Sequence, residues 1–568
     1  MRAHAGPAPE ATFDVAVIGG GVNGTGVARD LALRGLRVVL FERNDLAFGA
    51  SGNSSGMIHG GVRYLTSNPS VTEQSCRDSG YIQQIAPHLL FRIPFLFPLK
   101  SGLRGRIAIE LVDAFFRTYD QFQPLKRGEP HTRLSPSDLA VLEPGLVGSL
   151  VGGITFDEWG VDGARLCVLN AIDAKERGAV VHVHTAVEAI ETAEPGDEGA
   201  ARPGARVGSY VVRARDLVTE RAVLARARVV VNATGAWGPI TAALGNLAAS
   251  RVRVRPGKGI HVAFDRRLSN YGIVCEAIDG RQIFVMPWQN MTVIGTTDDD
   301  YFGDLNDVMA TSEEVRYLVQ GVARVFPSIR EARAIGTWAG VRPTLYAYGP
   351  NEDALSREHM IVDHTQDGAP GVYSMIGGKL ASYRLFAQEM SDLIAEDLAP
   401  QTTCTTHTRP LPGGDQVPDA MALAEQSSIT PVAARRLAYR HGSRSARILA
   451  RLAKSPRERA IVCACEPVLE AEVRHAVISE MARTVEYVAR RTRLGLGACG
   501  GMRCAARCGQ IVAEEIGLPP SQGAKMARVF LARHARTRIV AMGPEQARQE
   551  ALALATMRAT LGTRGDEP

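Results

Sequence analysis

Two sets of residues in this 568-residue chain have types and spacings that could do chemistry. The first is Gly19, Gly21 and Gly24 in G-x-G-x-x-G spacing, followed by Glu42. In such a unit the first glycine allows a tight turn, the second lets the backbone approach a pyrophosphate, and the third lets helix and strand pack closely. A carboxylate some twenty residues further on can then reach ribose hydroxyls. The second set is four cysteines, Cys463 and Cys465 as C-x-C and Cys499 and Cys504 as C-x-x-x-x-C, with Gly495, Gly497, Gly500 and Gly501 around the second pair. Glycines there leave backbone N–H groups free to bond cluster sulfurs. With no secretion signal ahead of them, the cysteines read as a metal centre rather than as disulfides. C-x-C is less typical of zinc ribbons than C-x-x-C, and a redox cofactor upstream gives electrons a reason to travel. A [2Fe-2S] cluster is therefore expected, with zinc as the structural alternative. Cys508 is left over, and Cys76, Cys167, Cys275 and Cys404 read as isolated thiols.

Elements must position these groups. Val15–Ile18 is an apolar strand, a helical pattern runs to Arg34, and a second strand, Val38–Phe41, ends at Glu42 and Arg43. The helix N-terminus offers free N–H groups and positive dipole to a pyrophosphate. A nicotinamide domain would continue into further βα units, but here Phe48–Gly61 follows, rich in Gly and Ser. It supplies Ser51, Ser54, Ser55, His59, Gly60 and Gly61, and suits close approach to a large flat cofactor, so flavin is preferred. Val229–Pro239 reads as a late strand returning to that cofactor through Ala233, Thr234 and Gly235. An apolar strand at Gly371–Ile376, then Gly378, Lys379 and Leu380 ahead of a helix, would close the flavin domain.

Alternating runs at 251–264 and 283–295 predict an antiparallel sheet covering the substrate. Residues 86–116 read either as a core helix pair joined by a loop or as a monotopic patch. In the second reading Leu90, Phe91, Phe95 and Phe97 dip into an interface, with Arg92, Lys100, Arg104 and Arg106 at headgroup level. A helix over 163–177 leads into a strand over 180–184, 193–206 is a surface insertion, 410–418 is a linker, and the pattern beyond is helical to Ile516. The length suits two or three domains, and 45% hydrophobic with 22% charged residues is ordinary for a globular protein. A net charge of +5 makes no case for nucleic acid. There is no apolar run long enough for a signal peptide or a transmembrane helix, so cytoplasm is the expected compartment.

The runs SSGMIHGGVRYL, VVNATGAWG, GRQIFVMPWQNMTVIGTTDDDYFGD, WAGVRP and IGGKLASYR together resemble the flavin-dependent glycerol-3-phosphate dehydrogenases over about residues 13–510. The cysteine pattern is most similar to the anaerobic-type large subunit, and its spacing resembles a bacterioferritin-associated-ferredoxin-type [2Fe-2S] domain. The resemblance implies a mixed α/β and α+β architecture: a glutathione-reductase-like, Rossmann-type FAD domain, a D-amino-acid-oxidase-like substrate domain, and a C-terminal helical domain with the cysteine motif. On this reading 13–400 is the oxidoreductase region, with FAD segments at 13–85, 150–245 and 335–400 and cap segments at 86–149 and 246–334. A linker and helical segment at 410–455, a cluster domain at 456–517 and a basic helical tail at 518–568 follow.

The implied reaction is oxidation of sn-glycerol 3-phosphate to dihydroxyacetone phosphate, with electrons passed toward a quinone or partner subunits. Peripheral contact with the cytoplasmic face of the inner membrane is implied too, and an oligomer is compatible with it. A phosphate dianion calls for guanidinium forks and an ammonium in a partly dry pocket. Arg63, Tyr64, Arg342, Arg357 and Lys379 fall in segments that resemble the family's substrate-binding motifs. Oxidising an alcohol needs a base, for which His261 in KGIH is the candidate and His59 the runner-up. Two other readings stay open: a flavoprotein relay or docking subunit, and an FAD oxidase for a related hydroxy or amino substrate.

Overall fold

The computed structural model describes residues 11–62, 65–66, 69–194, 206–245, 247, 251–347, 359–398 and 402–560. Strand Ala11–Ile18 has apolar side chains on both faces. Val15 and Val17 face one core with Val38 and Leu40, while Ala16 and Ile18 face another with Val39 and Phe41. A strand covered on both sides is parallel and central, and this one pairs in parallel with Val38–Phe41 and with Ala222–Asn232. The resulting eight-stranded sheet runs His359–Asp363, Val372–Gly377, Ala222–Asn232, Ala11–Ile18, Val38–Phe41, Val180–His182, with an antiparallel pair at 185–192 and 210–216. Helices Val22–Leu33, Gly163–Glu176 and Tyr383–Leu398 pack against it.

A ten-stranded sheet forms the second layer, and Val254–Phe264, Gln282–Trp288 and Met291–Gly295 are antiparallel neighbours within it. Two strands depart from the segment boundaries that the sequence suggests. Leu150–Gly160 pairs with Phe91–Lys100, and Ala334–Leu345 pairs with Val254–Phe264, so both run in this second sheet rather than with the flavin strands. Residues 86–116 are likewise neither a helix pair nor an interfacial patch: they form strand Phe91–Lys100 and helix Leu103–Tyr119. Leu90 and Phe95 are buried, and Phe91 packs edge-on against Trp288, because alternate side chains of a strand inside a sheet meet neighbours on both faces. The side chains of Arg104 and Arg106 lie outside the described residues. Among the described residues no helix is long and apolar enough to cross a membrane.

The C-terminal third is helical apart from a small hairpin, Ile461–Cys463 with Val468–Leu469. The Pro/Gly stretch after residue 410 is packed chain rather than a free linker: Leu411 is buried and its N–H bonds to the Ile85 carbonyl at 2.8 Å. A seam of buried ion pairs joins this third to the flavin layer. Arg165 grips Glu480 at 2.6 and 2.8 Å with both side chains wholly out of water, Arg491 forks onto Asp45, and Arg440 reaches Asp162 at 3.0 Å. Arg165 also donates to His441 Nδ1 at 2.9 Å, and since a guanidinium has only protons to give, His441 is neutral there.

Breaking such a pair leaves an uncompensated buried charge, so Glu480→Gln should destabilise the protein by about 3–5 kcal/mol, read from urea denaturation. The pH dependence has a definite sign. Burial would raise the Glu480 carboxyl, but Arg165 and the neighbouring histidines hold it well below its ordinary 4.5. Burial and Arg165 lower His441 from 6.5 to about 4. A depressed carboxylate stabilises above its unfolded value and loses this as pH falls. A depressed histidine, which must stay uncharged in the fold, does the same from 6.5 downward. The urea midpoint should therefore fall steadily between pH 6.5 and 4.

Candidate active site

A cavity of about 1320 Å³ runs between the two sheets, and its floor is the glycine fingerprint. Gly19 has φ +112°, and a Cβ there would stand 2.6 Å from the Ala233 carbonyl oxygen. A Cβ on Gly24 would meet the Gly19 oxygen at 2.0 Å, so turn, helix and returning strand touch backbone to backbone. Gly21 precedes helix Val22–Leu33 without a side-chain cap, and the Val22 N–H is met by Ser51 Oγ at 3.0 Å. Glu42 is pinned across the end of the cavity by the N–H groups of Gly20 and Asn44, both at 2.7 Å; burial pushes its carboxyl upward against those bonds. A helix N-terminus, a glycine that leaves space and a carboxylate at the strand end fit the pyrophosphate and ribose of a dinucleotide.

Of the cofactor candidates, Gly19, Gly21, Glu42, Arg43, Ser51, Ser54, Ser55, His59, Gly61, Ala233, Thr234, Gly235, Gly378, Lys379 and Leu380 all line this cavity. Gly24 and Gly60 do not line it. Gly24 serves packing, and the Gly60 N–H points away to Glu158 Oε2 at 3.0 Å. Glu158 is itself paired at 3.0 Å with Lys126, whose side chain is fully buried, so an ion pair stands behind the His59–Gly61 loop. Nothing in the local sequence around Lys126 or Glu158 advertises that pairing.

At the other end the sheet register brings the polar candidates together. His261 lies opposite Trp338, and Gly257 opposite Arg342, on paired strands. His261 is buried, stacks on Trp338 at 5.2 Å between ring centres, and shares a 2.9 Å hydrogen bond through Nε2 with Ser55 Oγ. Burial and the Arg342 charge pull it down to about 3, below the near-neutral value expected of a base. Arg342 donates to Asp298 Oδ1 at 2.8 Å, to Thr296 Oγ1 at 2.9 Å and to the Thr297 carbonyl. Gly259 makes its room, since a Cβ there would lie 2.4 Å from Arg342 Nη2. Asp298, Thr296 and Gly259 were not legible as site residues; the one available signal was that an arginine in a dry cleft needs a carboxylate. Arg63, Tyr64 and Arg357 lie outside the described residues.

None of the four motif cysteines lines the cavity. They sit as two facing pairs, Cys463 with Cys504 and Cys465 with Cys499. The Cys504 thiol holds Cys463 down to about 6 against burial, helped by backbone N–H groups of Gly495, Glu466 and Cys465. Cys463 and Cys504 are buried, Cys499 is half-buried and Cys465 is exposed. Cys508 is buried in the same core. His441, His475 and Glu480 also draw together, within 4.8 Å, but Glu480 is already taken up by the Arg165 fork.

Two sheets sharing a glycine-floored dinucleotide cleft define an FAD-dependent oxidoreductase, and the profile described as FAD dependent oxidoreductase matches residues 14–384. A second profile, the C-terminal domain of alpha-glycerophosphate oxidase, matches 404–522. A subunit of the anaerobic glycerol-3-phosphate dehydrogenase of Escherichia coli (strain K12) is 33% identical over 499 residues, covering 87% of this chain and 86% of that one. Glycerol-3-phosphate dehydrogenase of Mycobacterium leprae is 34% identical over 521 residues, with 89% and 85% covered. The crystal structure of glycerol-3-phosphate dehydrogenase from Bacillus halodurans, complexed with FAD, superposes with a TM-score of 0.73 at 24% identity over 94% of this chain and 96% of that one, a likeness of fold. The chain belongs to the family of FAD-dependent glycerol-3-phosphate dehydrogenases.

Side chains added at Gly21 point at Ser51 Oγ, 3.3 Å from the Cβ position, across the pyrophosphate path. Gly21→Val should give folded protein with most of its flavin absorbance lost. Full flavin occupancy in that variant would overturn the assignment.

Proposed function

We propose that the polar end of the cavity binds sn-glycerol 3-phosphate and removes its hydroxyl proton while C2 gives up hydride, yielding dihydroxyacetone phosphate. The observation that carries this reading is that His261, Arg342 and Lys379 line the same cavity as the fingerprint. Bound FAD supplies the two-electron acceptor. Arg342, fixed in orientation by Asp298 and Thr296, and Lys379 hold the phosphate by charge-assisted bonds, with Arg63, Tyr64 and Arg357 as further partners. His261 takes the hydroxyl proton. Its depressed value owes part of its cause to Arg342, and a phosphate dianion beside Arg342 opposes that charge and raises the imidazole toward the range of a working base.

The cysteine pairs support a [2Fe-2S] reading. Two facing pairs suit two irons with two thiolates each, whereas zinc gathers four ligands about one ion. Gly497 leaves room for Cys465, whose Cβ would be 2.5 Å from an added methyl, and backbone N–H groups already point at Cys463. The exposed Cys465 marks the edge through which electrons leave for a quinone or a partner protein, the chain lying peripherally at the membrane.

Arg342→Ala and Lys379→Ala should each lower kcat/KM for glycerol 3-phosphate by about tenfold or more, the loss of a charge-assisted bond worth about 1.5–3 kcal/mol, with flavin content kept. Unchanged efficiency in both would remove these residues from the site. For the cysteines, dithionite-reduced protein prepared anaerobically should show a paramagnetic signal and two irons per chain. Cys499→Ser should lose that signal while substrate still bleaches the flavin. One zinc per chain without a signal would make the domain structural.

A further inference from the structure

The last two helices, Pro520–Ile539 and Pro544–Thr560, form a hairpin that lies almost wholly beyond the matched C-terminal profile, which ends at 522. One face of the first helix presents Phe530, His534 and Arg538 at four-residue intervals, so they stack along a single stripe. Phe530 fills the space that side chains at Gly495 and Gly501 would need, with Cβ positions 2.7 and 2.6 Å from its ring, and His534 stacks on it at 5.4 Å. Arg538 occupies the corresponding space at Gly500, whose Cβ would be 2.8 Å from Cζ. The glycines around Cys499 are thus required by the hairpin pressed on them.

Arg538 is fully buried and divides its donors between three parts of the molecule. It forks onto Glu550 of the second helix at 2.9 and 3.1 Å, donates to the Ala498 carbonyl at 3.1 Å, and donates to the Ile335 carbonyl at 2.8 Å. Ala498 adjoins Cys499, and Ile335 begins the strand that carries Trp338 and Arg342 into the cleft. The same strand bonds the hairpin through Thr337 Oγ1 to the Thr537 carbonyl and through Gln546 to the Ala334 carbonyl. Arg533 lies over the ring of Phe48, a cavity-lining residue of the flavin loop, at 5.7 Å. The hairpin therefore grips both the cysteine loop and the walls of the flavin cleft.

Resting on the reading of the cysteines as an electron-accepting centre, we propose that the C-terminal hairpin, keyed by Arg538, is a clamp that fixes the Cys499–Cys504 loop against the Arg342 strand and so sets the spacing across which electrons pass. Arg538 is a positioning residue. Its charge is matched by Glu550, so it acts through its three-way hydrogen bonding rather than through its field. Electron tunnelling falls off exponentially with distance, and a loop that drifts outward loses rate even when flavin and cysteines are both intact.

The test uses the full chain, with Arg538→Gln, Arg538→Lys and the milder Thr337→Val, which removes one hydrogen bond between strand and hairpin. In protein stripped of metal by chelation, iodoacetamide should alkylate Cys465 and Cys499 several-fold faster in all three variants than in wild type. In anaerobic stopped-flow with glycerol 3-phosphate, flavin bleaching should be unchanged while reduction of the cysteine-bound chromophore slows tenfold or more in Arg538→Gln. Lysine keeps the charge but cannot make the fork, so full rescue by Arg538→Lys would overturn the positional role. Unchanged alkylation in Arg538→Gln and Thr337→Val would overturn the clamp itself. If wild-type protein carries no iron, the cluster reading fails on its own, and alkylation then decides whether the hairpin holds the loop.

Discussion

Arg165 and Glu480 meet with no water on either, and the relation between the flavin layer and the helical third depends on that pair and its neighbours. Burying two charges is expensive, and the geometry has to return the cost: both carboxylate oxygens of Glu480 are used, and the remaining guanidinium donors go to His441 and a backbone carbonyl. Such a seam is directional, unlike an apolar interface, and a sliding movement of one residue would strand a charge. The same logic recurs at Arg491 with Asp45, directly behind the flavin loop. The helical third is thereby held in fixed register against the cleft.

Within the cleft the contest is between close packing and charge. The fingerprint end works by omission, because Gly19 and Gly24 remove the atoms that would separate turn, helix and returning strand. The opposite end works by compensation. Arg342 is tolerated in a half-dry wall because Asp298 and Thr296 satisfy it, and Gly259 yields the volume it needs. His261 feels both effects: burial and the nearby guanidinium keep it neutral, with a lone pair available. A substrate that brings two negative charges acts on that balance in the direction a base requires.

Much of the cofactor end was legible in the chain, and the reason is locality. Val15–Ile18, the three glycines and Glu42 form one continuous βαβ unit whose spacing is set by backbone geometry alone, so residue types at fixed offsets suffice to read it. The helix from Gly163 was legible for the same reason, through its period and the capping Asp162. The stretch 86–116 misled because a continuous apolar run has no decisive period: Phe91–Lys100 is a strand buried among other strands, and its hydrophobicity belongs to a sheet core rather than to a helix pair or a lipid surface. The Pro/Gly run at 410–418 misled by composition, since Leu411 and the glycines beside it pack against Ile85 and His441.

What the sequence by itself determined is the set of chemical capacities: a dinucleotide floor, cysteines in two short-spaced pairs, and a family of basic and imidazole side chains at strand ends. What only the tertiary structure decided is which of them meet. Strand register placed His261 and Arg342 in one cavity, and a 2.8 Å contact selected Asp298 from many acidic residues as the partner of Arg342. Folding also joined Lys126 to Glu158, and Arg538 to carbonyls from two distant segments. These pairings join residues far apart in the chain, and the attraction between buried charges depends on distance and solvent exclusion, which exist only once the layers have closed.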